Sequence, residues 1–186
     1  RDVLGSRGLG DVYKRQDGDT LDVWDMQLAG AGAKVIKTRR GFINRLSALA
    51  DKNHRYLTKD KESLTLNYES LSGETEEEIR VNFLSELKRT RDKDILYGFT
   101  HIGAQTDDFA VLAGDVDVRK YGSQGQQRTA ALSLKLAELD LFKDESGESP
   151  VLLLDDVFSE LDENRQEKLI GRLSGFQTVV TCTHIE

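Results

Sequence analysis

An uninterrupted apolar run followed by two acids, VLLLDD at residues 151–156, restricts the fold of this chain more than any other segment. Strands that helices cover on both faces read as continuous apolar runs, whereas half-buried strands alternate. Helical patterns flank the run at residues 126–142 and 163–173, and a second apolar strand pattern occupies residues 178–183. This order of helix, strand, helix and strand predicts an α/β fold with a covered parallel sheet.

The two acids that end the run, Asp155 and Asp156, are candidate catalytic groups. Ligands bind beyond the carboxyl ends of parallel strands. A nucleoside triphosphatase needs one acid there to orient Mg²⁺ or its water and a second acid to polarise the attacking water. The alternative is that both are solvated acids that cap the next turn.

Two further polar residues follow these acids along the chain. Asp162 stands directly before the next helical pattern, where it is a candidate N-cap. His184 ends the terminal strand pattern, where its ring could bond a γ-phosphate or the attacking water, although a lone histidine is more often structural.

A polar segment that contains glycine, SQGQQR at residues 123–128, runs directly into a strongly apolar helix pattern. The apolar residues on both faces of that helix predict burial and a fixed N-terminus, which favours an anion such as phosphate. Ser123 adds a hydroxyl donor and Gly125 permits close approach, while Gln124 and Gln126 supply neutral donors. A plain capped helix is the alternative interpretation of this segment.

The first half of the chain is predicted to be mainly helical. Apolar residues recur at steps of three, four and seven over residues 20–57, which is typical of one face of a helix. Gly30, Gly32 and Gly41 are the points where that helix could break, because glycine weakens a helix interior.

Strand and helix signals then alternate. Residues 63–69 alternate as a half-buried strand, and Thr75 with Glu78 forms a capping box for a helix over residues 76–91. Residues 94–103 and 108–122 read as further strands, with a hairpin at Gly114-Asp115.

Charge and composition exclude several classes of protein. The balance of 26 Lys and Arg against 33 Asp and Glu argues against diffuse binding to nucleic acid but permits a local basic stripe. Arg39 and Arg40 are the candidates for contact with DNA phosphates, although such charges are usually a solvated helix face.

The sequence shows no membrane span and no secretory signal, so a cytoplasmic location is expected. The single cysteine, Cys182, excludes an internal disulfide and is predicted to be a small buried residue.

In chain order, SQGQQR, VLLLDD, SELD and a strand ending in TH resemble the signature, Walker B, D-loop and switch histidine of an ABC-type ATPase head. Within that superfamily, KYGSQGQQRTAALSLKLAELDLF and PVLLLDDVFSELDENRQ are similar to the RecF family of SMC-like replication and repair ATPases. Upstream, LDVWDMQLAGAGAKVIKTRRGFINRL resembles the helical arm of that family. The resemblance implies the C-terminal half of an ABC-type head with a long-helix arm lobe and an incomplete sheet.

The resemblance also implies a division of the chain. Residues 1–16 resemble an adapter-derived tail and are interpreted as a non-native leader. Residues 17–93 would form the helical arm lobe, and residues 94–186 would form the C-terminal part of the ATPase head.

Members of this family hold ATP between two heads, which implies a role for each candidate residue. Ser123 and Gly125 would bind the nucleotide held by the partner head, with Gln124 and Gln126 beside them. Asp155 would serve Mg²⁺ and Asp156 would be the general base. Asp162 would belong to the dimer interface, and His184 would be the switch residue.

The family resemblance implies partners as well. RecF-like proteins form ATP-dependent dimers, recognise single-strand/duplex junctions and duplex DNA, and act with RecO and RecR to load RecA at gaps. The chain would therefore belong to recombinational repair, replication restart and the SOS response, with no membrane partner.

Two departures from the family pattern and two competing functions remain. No G-x-x-x-x-G-K-[ST] loop occurs in the chain, so this segment alone is not expected to hydrolyse ATP, as the complete protein would. Residues 103–108 read GAQTDD where RecF sequences usually read Gly-Pro-His-Arg-Asp-Asp.

The first competing function is a transporter-type ABC cassette, which would carry Leu-Ser-Gly-Gly-Gln in place of SQGQQ and a short helical insert in place of the long arm. A non-enzymatic helical scaffold would use the acids and the glycine only structurally.

Overall fold

The computed structural model describes residues 18–158 and 161–181, so the predicted leader, Cys182 and His184 lie outside the described residues. The helices are α1 (Gly18–Thr58), α2 (Glu76–Tyr97), α3 (Val118–Tyr121), α4 (Gln124–Ser146) and α5 (Glu163–Leu173). The strands are β1 (Leu64–Glu69), β2 (Asp108–Ala113), β3 (Val116–Asp117), β4 (Leu152–Asp155) and β5 (Thr178–Thr181).

Two small sheets occur within the described residues. One has the strand order β1-β2-β3, and its β2–β3 hairpin turns at Gly114, whose positive φ of 57° suits glycine. The other sheet is the parallel pair β4–β5, which runs in register from Leu152 opposite Thr178 to Asp155 opposite Thr181. The predicted hairpin and the predicted parallel pair are therefore both confirmed. The predicted strand over residues 118–122 is wrong, because Asp117 caps a short helix there and accepts the backbone N–H groups of Arg119 and Lys120.

The predicted strand over residues 94–103 is wrong, because α2 continues through the first part of that segment to Tyr97. The helix ends at Gly98, which adopts a left-handed φ of 77° and donates its backbone N–H to the carbonyl of Asp94 at 2.8 Å. This is a common helix C-cap, and glycine adopts it without steric cost. Local capping therefore decided where this helix stops.

The expected burial of β4 on both faces is also wrong for the described chain. Leu154 packs beneath α4 and α5 in a leucine-rich core, whereas the neighbouring Leu153 is 73% exposed. Since adjacent strand residues point to opposite faces, helices cover only one face of the β4–β5 pair among the residues that the structure describes. The sheet is incomplete, as the family resemblance implied.

The described chain divides into two compact units. The first contains the residues up to Gly41 together with Tyr68–Asp108, and the second contains Phe42–Asn67 and the residues from Phe109 onward. This division crosses α1 and follows packing. The boundary at residue 94 separates the predicted arm lobe from the predicted ATPase head, and it stays a prediction.

Each unit has its own core. In the first unit the beginning of α1 packs on α2 through two small clusters: Ala29, Phe83 and Leu87, and Ala33, Ile36 and Ile79. The second unit is centred on Leu57, Leu132, Leu136, Leu154, Leu169 and Leu173.

Helix α1 is continuous over 41 residues, so none of its three glycines breaks it. None of the helices described here combines the length and the apolar character that crossing a bilayer requires.

Candidate functional site

The first turn of α4 carries the SQGQQR segment and is held by a capping box. Ser123 is the N-cap, and its hydroxyl accepts the backbone N–H of Gln126 at 3.3 Å. The side-chain oxygen of Gln126 accepts the backbone N–H of Ser123 at 3.0 Å. By helix geometry, the N–H groups of Gln124 and Gly125 have no partner inside the helix and point out of its end. The predicted fixed N-terminus is therefore present in a conformation suited to an anion.

A cleft of about 370 Å³ opens beside this turn, within the second unit. We call it the α4 cleft. It is lined by Leu57, Thr58, Lys59, Lys61, Glu62, Ser123, Gly125, Gln126, Asp162, Asn164 and Arg165. The cleft thus brings together four of the predicted site residues from two separate segments of the sequence.

Asp162 enters the α4 cleft as the N-cap of α5. Its carboxylate accepts the backbone N–H of Arg165 at 3.0 Å and also pairs with the Arg165 guanidinium. The backbone hydrogen bond, followed by the charge of Arg165, holds the pKa of Asp162 below its usual value. The predicted capping role of Asp162 is confirmed.

The lining of the α4 cleft includes residues that the sequence analysis missed. The chain turns sharply after α1, where Lys59 and Asp60 adopt left-handed φ values of 57° and 58°. This turn directs Lys59, Lys61 and Glu62 to the cleft. Their sequence signal was two lysines directly after the end of the predicted long helix. With the α4 N-terminus they favour a phosphate-bearing ligand, although Glu62 and Asp162 offset part of the positive charge.

The two acids at the end of β4 lie outside the lining of the α4 cleft. The Thr181 hydroxyl donates to the Asp155 carboxylate at 2.5 Å and accepts the backbone N–H of Asp156 at 3.2 Å. Asp156 has a φ of 50°, a left-handed conformation that costs a non-glycine residue about 1 kcal/mol or more. Neighbouring strands thus hold this strained turn in place.

Thr181 is a further residue that the sequence analysis missed. Its signal was a hydroxyl residue in the β5 pattern, but only the β4–β5 register shows that it lies opposite Asp155. Among the described residues no group of three or more His, Cys, Asp or Glu side chains could hold a metal by itself. The exposed oxygen ligands at the end of β4 fit Mg²⁺, which usually takes one or two carboxylates and completes its shell with water and phosphate.

Arg39 and Arg40, the predicted DNA contacts, are both bonded within the first unit. The Arg39 guanidinium contacts the Ala104 carbonyl and lies 3.8 Å from the Asp107 carboxylate. Arg40 donates to the carbonyls of Leu71 and Gly73 and to the Ser70 hydroxyl. These contacts hold loops, so phosphate contact would compete with them.

The GAQTDD segment folds into a turn of its own. Thr106 donates both its backbone N–H and its hydroxyl to the Gly103 carbonyl, at 2.9 and 2.7 Å. Asp107 accepts the Tyr68 hydroxyl at 2.5 Å. Burial and then this hydrogen bond raise the pKa of Tyr68 to about 12.

Two predicted residues stay apart from these groupings. Gln124 is exposed and does not line the α4 cleft, and His184 lies outside the described residues.

No family model matches the chain. The chain is 50% identical to a protein from Halothermothrix orenii named DNA replication and repair protein RecF, over 91% of this chain and 47% of that relative. It is 46% identical to a protein of the same name from Agathobacter rectalis, over 99% of this chain and 49% of that relative. The chain thus spans about half the length of these curated relatives.

Solved structures agree with the sequence relatives. The chain matches a structure described as the recombination mediator protein RecF-ATP in the RecFOR pathway with a TM-score of 0.83 and 36% identity. The match covers 96% of this chain and 49% of that one, and a second structure, with ATPrS, gives a TM-score of 0.82. The mixed fold with incomplete sheets is that of the C-terminal half of an ABC-type ATPase head, as the motifs implied.

Proposed function

Because this chain belongs to the RecF family and corresponds to the C-terminal part of its members, we propose that the complete protein is an ATP-dependent DNA-binding protein of recombinational repair and replication restart. This chain supplies the signature half of the nucleotide site, and a second head supplies the phosphates. The observation that carries the proposal is the capped α4 N-terminus, which opens on the α4 cleft together with Asp162.

Each site residue has a role in this proposal. Ser123 and Gly125 bind the γ-phosphate across the dimer, since helix N-termini favour anions. Asp155 would hold Mg²⁺, which would supply neutralisation of the phosphate charge. Asp156 acts as general base, and Asp162 stabilises the head-to-head contact. His184, as switch residue, rests on the family resemblance alone.

The proposed biological context follows the names of the relatives. The protein binds gapped and duplex DNA as an ATP-dependent homodimer in the bacterial cytoplasm, near the nucleoid. RecO and RecR are its proposed partners, since the matched structure is described as part of the RecFOR pathway. RecA is proposed from the family resemblance alone. Arg39 and Arg40 are the candidates for the DNA surface.

The test of the trans-binding role compares two added arginines on the same helix of the complete protein. Ser123→Arg places a bulky cation at the nucleotide-facing end of α4 and should abolish ATP-dependent dimerisation. Ser146→Arg adds the same charge at the exposed opposite end and should leave dimerisation unchanged. Sedimentation velocity with and without ATP measures both. Equal dimerisation of Ser123→Arg and the wild type would contradict the sandwich arrangement.

The same assay separates chemistry from assembly. Asp156→Asn should slow hydrolysis by about 100-fold or more, because a general base is lost, and should leave a persistent ATP-bound dimer. A variant that hydrolyses ATP at the wild-type rate would remove Asp156 from the catalytic role.

A further inference from the structure

A buried polar network lies beneath the first turn of α4, within the second unit. His54 of α1 and Ser133 of α4 are both 0% exposed, and Thr129 is buried beside them. Buried polar groups are costly unless they are hydrogen-bonded, so a cluster of three inside a leucine-rich core requires an explanation.

One branch of the network leads from His54 to Gly125. The Ser133 hydroxyl donates to the Thr129 carbonyl at 2.7 Å, and the Thr129 hydroxyl donates to the Gly125 carbonyl at 2.6 Å. Since the Ser133 hydrogen is already used, its oxygen accepts from His54 Nδ1, which lies 3.1 Å away. His54 therefore holds its proton on Nδ1 and supports the backbone of the SQGQQR segment from below.

Glu62, beside His54, makes a separate contact with the capping box. With the proton on Nδ1, His54 Nε2 carries a lone pair, and it lies 3.6 Å from the Glu62 carboxylate without a hydrogen bond in the described part of the chain. The second Glu62 oxygen accepts the side-chain N–H of Gln126 at 3.1 Å. Gln126 in turn closes the capping box on Ser123. The turn that faces the α4 cleft is thus supported from His54 through Ser133, and independently by Glu62.

We propose that His54 is a positioning residue, which sets the geometry of the Ser123–Gly125 turn through Ser133 and so controls how tightly this head closes on nucleotide. The inference rests on the proposed function, because it assigns His54 to the nucleotide contact across the dimer. His54 itself touches no ligand. It lies one layer below the residues that do.

The test uses the complete protein and separates ATP binding by one head from ATP-dependent dimerisation. His54→Phe fills the site but removes the hydrogen bond to Ser133, and it should weaken dimerisation about tenfold while ATP binding to the monomer is unchanged. His54→Asn places an amide N–H where Nδ1 stands, so it should recover part of the loss through Ser133. A purely structural role would not produce this split or this rescue.

Asn53 provides the matched control. It is a buried polar residue on the same helix, but its amide bonds Asp140 and Arg172 rather than the α4 turn. Asn53→Leu should lower the melting temperature and leave dimerisation of the folded protein unchanged.

Ser133→Ala keeps the test decisive if His54→Phe does not fold, because it removes the hydroxyl that accepts from His54 and leaves only a small cavity. It should weaken dimerisation about threefold. Dimerisation of the folded His54 and Ser133 variants within twofold of the wild type, or an equal loss in Asn53→Leu, would overturn the inference alone. A wild type that does not dimerise with ATP would overturn the proposed function itself.

Discussion

Buried side chains below α4 matter to the site as well as the exposed ones that line it, and His54 is the example. The charged form of His54 is disfavoured because burial removes its solvation, and this lowers the pKa of His54 despite the nearby Glu62 carboxylate. The neutral ring agrees with the proton placement that Ser133 requires. The neutral charge state of His54 therefore agrees with its bond to Ser133, while Nε2 makes no hydrogen bond in the described part of the chain.

The lowered pKa of His54 predicts a pH dependence of stability. An unfolded histidine binds a proton near its ordinary pKa of about 6.5, whereas the folded one resists protonation, so the free energy of unfolding should fall as pH drops below about 6.5. Urea titrations of this chain between pH 7.5 and 5.5 measure the fall. His54→Asn cannot titrate and should show a shallower slope. Identical slopes would remove His54 as the source.

At the scale of single elements, glycines in α1 differ in what surrounds them. A Cβ at Gly32 would lie 2.2 Å from the ring of Phe83 in the core of the first unit, whereas a Cβ at Gly30 would meet nothing within 4 Å. Gly32 is therefore required by the approach of α2, and Gly30 is not.

This difference yields a matched pair of substitutions. Gly30→Ala should stabilise the chain by up to about 1 kcal/mol, because alanine favours the helix. Gly32→Ala gains the same propensity but should destabilise by about 1–3 kcal/mol, because the buried Phe83 ring must shift. Chemical denaturation of both variants gives the signs. Stabilisation by both would mean that the ring moves without cost.

For the molecule as a whole, the β4–β5 pair exposes a group of apolar side chains in the described chain. Leu153, Val179 and Val180 all lie exposed on or beside this pair. Exposed apolar strands invite association with other chains. We infer that this chain, expressed alone, associates through this sheet.

Neighbouring leucines test this inference. Leu153→Ala should reduce light scattering of the isolated chain and change its free energy of unfolding by less than about 0.5 kcal/mol, since this side chain is exposed. Leu154→Ala empties the core below α4 and α5 and should destabilise by about 2–5 kcal/mol. Unchanged scattering for Leu153→Ala would show that association occurs elsewhere.

The features that the sequence predicted correctly are local ones. The capping box at Thr75 connects residues three positions apart, and the helix stripes follow from a period of 3.6 residues. Such interactions form wherever the pattern occurs, so the sequence alone determines them. The ordered motifs likewise identified the family, because each stands at the end of an element that the pattern already defines.

The tertiary structure decided what depends on residues far apart in the chain. Thr181 reaches Asp155 across 26 positions, and His54 reaches Ser133 across 79. Each contact joins one residue to one distant partner, so neither produces a repeating pattern in the sequence. The exposure of Leu153 likewise depends on whether another layer of structure packs on its face of the β4–β5 pair. The apolar sequence of the strand shows only that such packing would be favourable. Local periodicity thus determined the elements, and long-range packing decided which side chains meet at the site.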